Sequence, residues 1–211
     1  MTGLLLKDLL NLKKVMKQYL LILLAMSVWA YMAENLMFVC MYVTLCSSML
    51  VLTSFSYDEY AHFDKYALTM PIGKRTLVQA KYVLLLLCVG GGTVLGLLAG
   101  CIMNLILQGD LVEMLVTGLV ISSVFFVTYS LVLPVIFKLG VEKARLAMVA
   151  IYLLIFVVVY GAAKMMDAGS TSIPELSAIP WLILAGVVSI CVIAALVSYF
   201  ISLKIIEKKE W

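Results

Sequence analysis

The chain has 211 residues, 65% of them hydrophobic and 13% charged, with a formal net charge of +3 and a mean hydropathy of +1.15. A soluble domain has about 25% charged residues, so this composition excludes one and points to an integral membrane protein. The small positive balance is then expected to report membrane orientation and not nucleic-acid binding.

Taken in chain order, residues 1–18 come first. Leu5, Leu9, Leu12 and Met16 share one helical face and Lys7, Asn11, Lys14 and Gln18 another, which predicts a helix lying in the headgroup layer. The plainer alternative is a basic flank that orients the first span. The segment does not read as a cleavable signal, which has a basic tip, an apolar run and small residues at its end. About 20 apolar residues cross a hydrocarbon core. On that measure six spans are predicted: Tyr19 to Ala33, Leu36 to Phe55, Val83 to Leu107, Leu111 to Phe137, Leu146 to Ala163, and Trp181 to Leu203. The fold class expected is therefore all-α, a single polytopic domain over 1–211 with six transmembrane helices.

The third span carries Gly92, Gly96 and Gly100 at every fourth position, a small-residue face that lets another helix approach closely, within the subunit or across a dimer. The fourth span contains Pro134, expected to bend or end it. Cys40, Cys46, Cys88, Cys101 and Cys191 all fall in spans without a C-x-x-C spacing and read as small apolar packing residues. His62 is the only histidine, so neither an H-E-x-x-H zinc site nor an intramembrane serine and histidine pair is possible. No G-x-x-x-x-G-K-[ST] phosphate loop occurs, which excludes P-loop ATP hydrolysis by this sequence. The polar residues of the spans are few and mostly uncharged, so no ionisable group of the kind an ion-driven carrier keeps at depth is expected.

Charge placement supports six spans. With both termini inside, 14 of the 15 basic residues fall on the cytoplasmic side and only Lys164 outside, whereas Glu34, Asp110, Glu113, Asp167 and Glu175 lie outside. This is the sorting that short loops of membrane proteins show.

Between the second and third spans, residues 54–82 form an aromatic and charged island. Ser56 and Glu59 stand in the S-x-x-E spacing of a capping box, with Asp58 adding negative charge at the same end. A helix is thus predicted to start near Tyr57, to present Tyr60, Phe63, Ala67 and Met70 on one face, and to stop at Pro71 and Gly73. Lys74, Arg75 and Lys81 follow, and are expected to reach back as anchors to the inner-leaflet phosphates. Without other information, an interfacial helix that only anchors the leaflet explains the island about as well as a docking helix. The acid pair disfavours the anchor, because anionic lipid repels it.

Phe55, Asp58, Glu59, Tyr66, Leu68, Pro71, Ile72, Lys74, Arg75, Val78, Lys81 and Tyr82 resemble the F-x-x-DE, Y-x-L and LPI-x-[KR][KR]-x-x-V-x-x-KY pattern of small type-2 ABC exporter permeases. These are common in Gram-positive bacteria and include the permeases that export phenol-soluble modulins. The opening LLLKDLLNLKK is similar to their start, and the span layout extends the likeness over the whole chain. Met70 stands where Leu is more usual, and Phe63 near a position often held by Trp.

The resemblance implies a plasma-membrane subunit that pairs with a second permease copy or a close paralogue. It implies that residues 56–72 are the coupling segment, with Asp58, Glu59, Tyr60, Phe63, Tyr66 and Pro71 meeting a separate cytoplasmic ABC ATPase. No cofactor is expected in this chain, ATP and Mg belonging to that partner, and membrane lipid is the other expected partner. Export of amphipathic peptides or lipid-like molecules is the implied activity. The alternatives are a six-span substrate-capture subunit of a vitamin importer and a membrane enzyme. The first is disfavoured by outer connections that are short except Lys164 to Pro180, and the second by the lack of catalytic histidines and of embedded carboxylates.

Overall fold

The computed structural model describes residues 2–32, 36–63, 73–107, 111–168 and 180–208, and among them the only regular structure is helical. Six helices can be traced among the described residues: α1 (Thr2–Met32), α2 (Leu36–Tyr60), α3 (Lys74–Leu107), α4 (Leu111–Leu139), α5 (Val141–Ala168) and α6 (Pro180–Lys208). Four apolar stretches are long enough to cross a membrane: Phe38–Tyr60, Arg75–Ile102, Met114–Leu139 and Val188–Lys208. α1 holds a shorter apolar run, Val15–Met26. Four candidate spans, against the six expected, are thus established among the described residues.

α1 departs from its expected division. It is one helix of 31 residues, roughly 46 Å long at 1.5 Å per residue. No break separates residues 1–18 from the span expected from Tyr19, and no glycine or proline lies between Leu4 and Met32 to make one. Its protein-facing side also differs from the Leu5, Leu9, Leu12 and Met16 stripe. Leu12 and Asp8 are buried, while Leu9 and Met16 are exposed.

Local chemistry sets the helix ends. α2 stops where His62 takes a positive φ of 48°. α3 begins after Gly73, whose carbonyl accepts the Thr76 N–H at 2.9 Å, and α6 begins at Pro180, whose missing N–H costs nothing at a first helical position. Gly140 ends α4 with φ +85° and its N–H bonded to Ile136 O at 2.9 Å. Only glycine adopts that left-handed conformation without strain.

The helices alternate in direction, so the start of α1, the end of α2, the start of α3, the α4–α5 junction and the end of α6 share one end, here called the basic end. The main core lies toward it. Phe55 of α2 meets Phe137 of α4 edge to face at 5.4 Å, over Val78 and Leu85 of α3 and Val141 and Ala144 of α5.

Gly92, Gly96 and Gly100 of α3 lie against α2 of the same chain. A Cβ on Gly92 would run into Ser47 Cβ, one on Gly96 would stand 3.3 Å from Cys40 O, and one on Gly100 3.0 Å from Cys40 Sγ and Met114 Sδ. Cys40 Sγ–H donates to Gly96 O at 3.3 Å. All five cysteines are free thiols. Gly91 has open space beside it.

Pro134 sits inside α4. Its ring removes the hydrogen bond that the Ser130 carbonyl would accept within the helix. Ser198 Oγ of α6 donates to that same carbonyl, and Tyr82 OH of α3 hydrogen-bonds Ser198 Oγ at 2.6 Å and Ser202 Oγ at 2.9 Å. A freed backbone acceptor inside a membrane span is thereby satisfied by a neighbouring helix.

Candidate functional site

Four charged side chains from three helices converge at the basic end. Lys81 of α3 reaches Asp8 Oδ2 at 3.0 Å, Asp58 Oδ2 at 2.5 Å and Ser54 Oγ at 3.0 Å. Lys7 of α1 reaches Asp58 Oδ1 at 2.5 Å and Asp8 Oδ1 at 3.4 Å. Asp8, Asp58 and Lys81 are 2%, 6% and 5% exposed, so these three are largely buried, whereas the Lys7 side chain is partly exposed. Desolvated charges persist only when mutually neutralised, and two lysines against two aspartates achieve that. Lys7 Nζ also lies 3.4 Å from the centroid of the Phe63 ring, and Lys81 Nζ 4.8 Å from that of Phe55, which adds cation–π attraction. Beside the quartet is a cavity of about 130 Å³ whose lining includes Asp8, Asp58, Glu59 and Phe63. A space of that size, lined on one side by carboxylates and lysines, has room for water molecules.

Glu59, the next residue, faces another helix. Its Oε2 accepts the Val141 N–H at 2.9 Å. That N–H is one of the donors the first turn of α5 leaves unsatisfied, and the carboxylate sits at the positive end of the helix dipole. Oε1 comes to 2.9 Å from where a Cβ on Gly140 would stand. Arg145 Nη2 then donates to Ser56 Oγ at 3.3 Å. The last turn of α2 is thus tied to α1 and α3 through Asp58 and to α5 through Glu59 and Ser56.

Several sequence expectations change here. Ser56 lies inside α2 and its hydroxyl donates to Leu52 O at 3.0 Å, so the expected Ser56–Glu59 capping box does not form. Glu59 does cap a helix, but α5, which lies 82 positions away. The helix expected to start near Tyr57 is, as far as Tyr60, the continuation of α2. Asp58 was expected to contact a partner, yet it is buried among lysines of its own chain. Lys81, expected to anchor on lipid phosphates, is buried with Asp8 and Asp58. Arg75 of α3 pairs with Glu207 of α6 at 3.1 Å and stays largely exposed. Lys74 opens α3.

Tyr60 is 87% exposed at the tip of α2, free to meet a partner. Phe63 is half-buried under Lys7. Tyr66 and Pro71 lie outside the described residues.

Lys7 and Asp8 were missed as site residues because the opening segment read as a lipid-facing helix. One signal was present: Asp8 is the only acid in the first turns of α1 and stands four residues before Leu12, on the face that α1 buries.

Among the described residues, no group of three or more His, Cys, Asp or Glu side chains has metal-binding geometry. The arrangement ties helix ends together by charge.

A family model described as "ABC-2 family transporter protein" matches residues 3–207 of this chain. No curated protein and no solved structure matches it.

Proposed function

The chain belongs to the ABC-2 transporter family, and from that membership we propose that it forms the membrane half of an ATP-driven exporter of amphipathic peptides or lipid-like molecules. Membership by itself makes it a membrane-spanning permease, a transport subunit of the kind that works with an ATPase subunit. The finer reading rests on the basic end. In it, the basic end faces the cytoplasm, a separate ABC ATPase docks around residues 56–72, and a second permease copy completes the pathway in the plasma membrane.

One observation carries the coupling role: the last turn of α2 holds an exposed Tyr60 next to two carboxylates locked into other helices. A push received at Tyr60 has little slack in which to dissipate. It reaches α1 and α3 through the Asp58–Lys81–Asp8 contacts and α5 through Glu59. Such a rigid connection suits transmission of nucleotide-driven closure into helix rearrangement. In this reading Asp58 and Glu59 transmit the load inside the permease, and Tyr60 anchors in the ATPase as exposed aromatics do at interface centres.

The test is co-purification of the full chain with a separate ABC ATPase subunit produced alongside it. Wild type is expected to retain the ATPase, and Tyr60→Ala to lose most of it without change in its own thermal stability. If wild type retains no ATPase, or Tyr60→Ala retains it fully with transport unaltered, the coupling role is wrong. Tight retention of a small water-soluble ligand by the isolated subunit would favour a capture subunit instead.

A further inference from the structure

A second feature lies apart from the charge network. An open groove of about 630 Å³ runs between α1, α2, α4 and α5. Met41 and Met49 of α2, Met148 and Tyr152 of α5 and Tyr129 of α4 shape its wall, and among the described lining residues Arg145 supplies the only charge. Arg145 is four residues into α5 and therefore marks the basic end of the groove.

From Thr53 to Met41 the groove follows α2 over 12 residue steps, roughly 18 Å at 1.5 Å per residue. One leaflet contributes about half of a 30 Å hydrocarbon core, so the groove is as long as one acyl layer is deep. Methionines line its wall, and their unbranched, polarisable side chains adapt to irregular apolar shapes. A guanidinium at the mouth offers a forked donor that matches a phosphate.

We infer that this groove binds an anionic phospholipid from the leaflet at the basic end, acyl chain along Met49 and Met148 and phosphate on Arg145. The charge pattern selects the occupant: a purely apolar groove would take any lipid tail, whereas one cation at the mouth and no acid among the described lining residues favours a negative head. In binding, Arg145 exchanges its bond to Ser56 Oγ for one to the phosphate. The inference goes beyond the transport reading and stands without it, since it concerns equilibrium binding by the subunit alone.

The test uses the full chain in lipid nanodiscs with trace phosphatidylglycerol or phosphatidylcholine carrying a photoreactive group on the acyl chain. Crosslinks are mapped by mass spectrometry. Phosphatidylglycerol is expected to label the segments holding Met49 and Met148 roughly fivefold more than phosphatidylcholine, the factor that one cation near an anionic surface contributes. Arg145→Gln should bring that ratio close to one, Arg145→Lys should keep most of it, and Val149→Trp, which fills the groove, should cut labelling by both lipids.

Equal labelling by the two lipids in wild type would overturn the inference. So would labelling of the groove no denser than that of the exposed α6 face around Ile193 and Phe200. If a dimeric fraction shows no groove label, a second copy covers it; if an amphipathic peptide but not phosphatidylglycerol displaces the label, it is a peptide site. Either result sinks the lipid assignment.

Discussion

Glu59 Oε2 accepts the Val141 N–H at 2.9 Å, so the last turn of α2 caps the first turn of α5 across 82 positions of sequence. The bond combines a capping contact with a charge at the dipole's positive end. Loss of such a cap costs about 0.5–2 kcal/mol. Glu59→Ala is expected to lower the thermal midpoint of the purified subunit accordingly. Glu59→Gln, which keeps an acceptor but not the charge, should lose less. Equal midpoints for wild type and Glu59→Ala would show that the carboxylate does not hold α5.

The Lys7, Asp8, Asp58 and Lys81 quartet should respond more strongly to one deletion than to a balanced pair of deletions. Removing one member of a buried ion pair leaves an uncompensated charge, at a cost of about 3–5 kcal/mol. Asp58→Leu leaves two lysines facing Asp8, and Lys81→Met leaves two aspartates facing Lys7. The double variant Asp58→Leu with Lys81→Met still has Lys7 and Asp8 as a pair. Denaturation of the three variants checks this, the expected order being wild type, then the double variant, then either single one. A double variant less stable than both singles would mean that the contacts are independent.

How much of this was legible in the sequence depends on the range of each interaction. Helix content was legible because apolar runs the length of Leu111 to Phe137 have few other ways to satisfy their backbone in lipid. The packing potential of Gly92, Gly96 and Gly100 was legible because four-residue spacing fixes a helix face. What that face meets was not, since Ser47 and Cys40 sit on another helix. The island misled for the same reason. Ser56 and Glu59 have capping-box spacing, yet the α2 hydrogen bonds continue through them and each side chain finds a different acceptor or donor. Asp58 and Lys81 read as surface charges because the α1 residues that complete their network, Lys7 and Asp8, lie 51 and 73 positions away.

Adjacent glycines of α3 should behave in opposite ways. A Cβ on Gly92 meets Ser47, whereas one on Gly91 meets nothing within 4 Å. Gly91→Ala is therefore expected to leave stability unchanged or raise it by up to about 1 kcal/mol through helix propensity. Gly92→Ala must push α2 away and should cost about 1–3 kcal/mol. Combining Gly92→Ala with Ser47→Gly removes the clash and should recover much of the loss. Thermal midpoints of the three variants decide, and no difference between the two alanine substitutions would contradict the α2–α3 packing.

Pro134 and Ser198 should be energetically coupled although they do not touch through a conventional side-chain bond. Pro134 deprives the Ser130 carbonyl of its partner inside α4, and Ser198 Oγ supplies the replacement from α6. Ser198→Ala alone strands that carbonyl in an apolar interior. Interhelical hydrogen bonds in membranes are typically worth about 0.6 kcal/mol and reach about 1.7 kcal/mol, and a stranded acceptor belongs toward the upper value. Pro134→Ala restores an N–H able to bond Ser130 O within the helix, so in that background Ser198→Ala should cost clearly less. The double-mutant cycle measures the difference, and strict additivity would break the link between the proline and the serine. The expected coupling has a positional consequence. Because Tyr82 of α3 holds Ser198, the proline in α4 fixes where α3 and α6 meet, and Tyr82→Phe should reproduce part of the Ser198→Ala loss only while Pro134 is present.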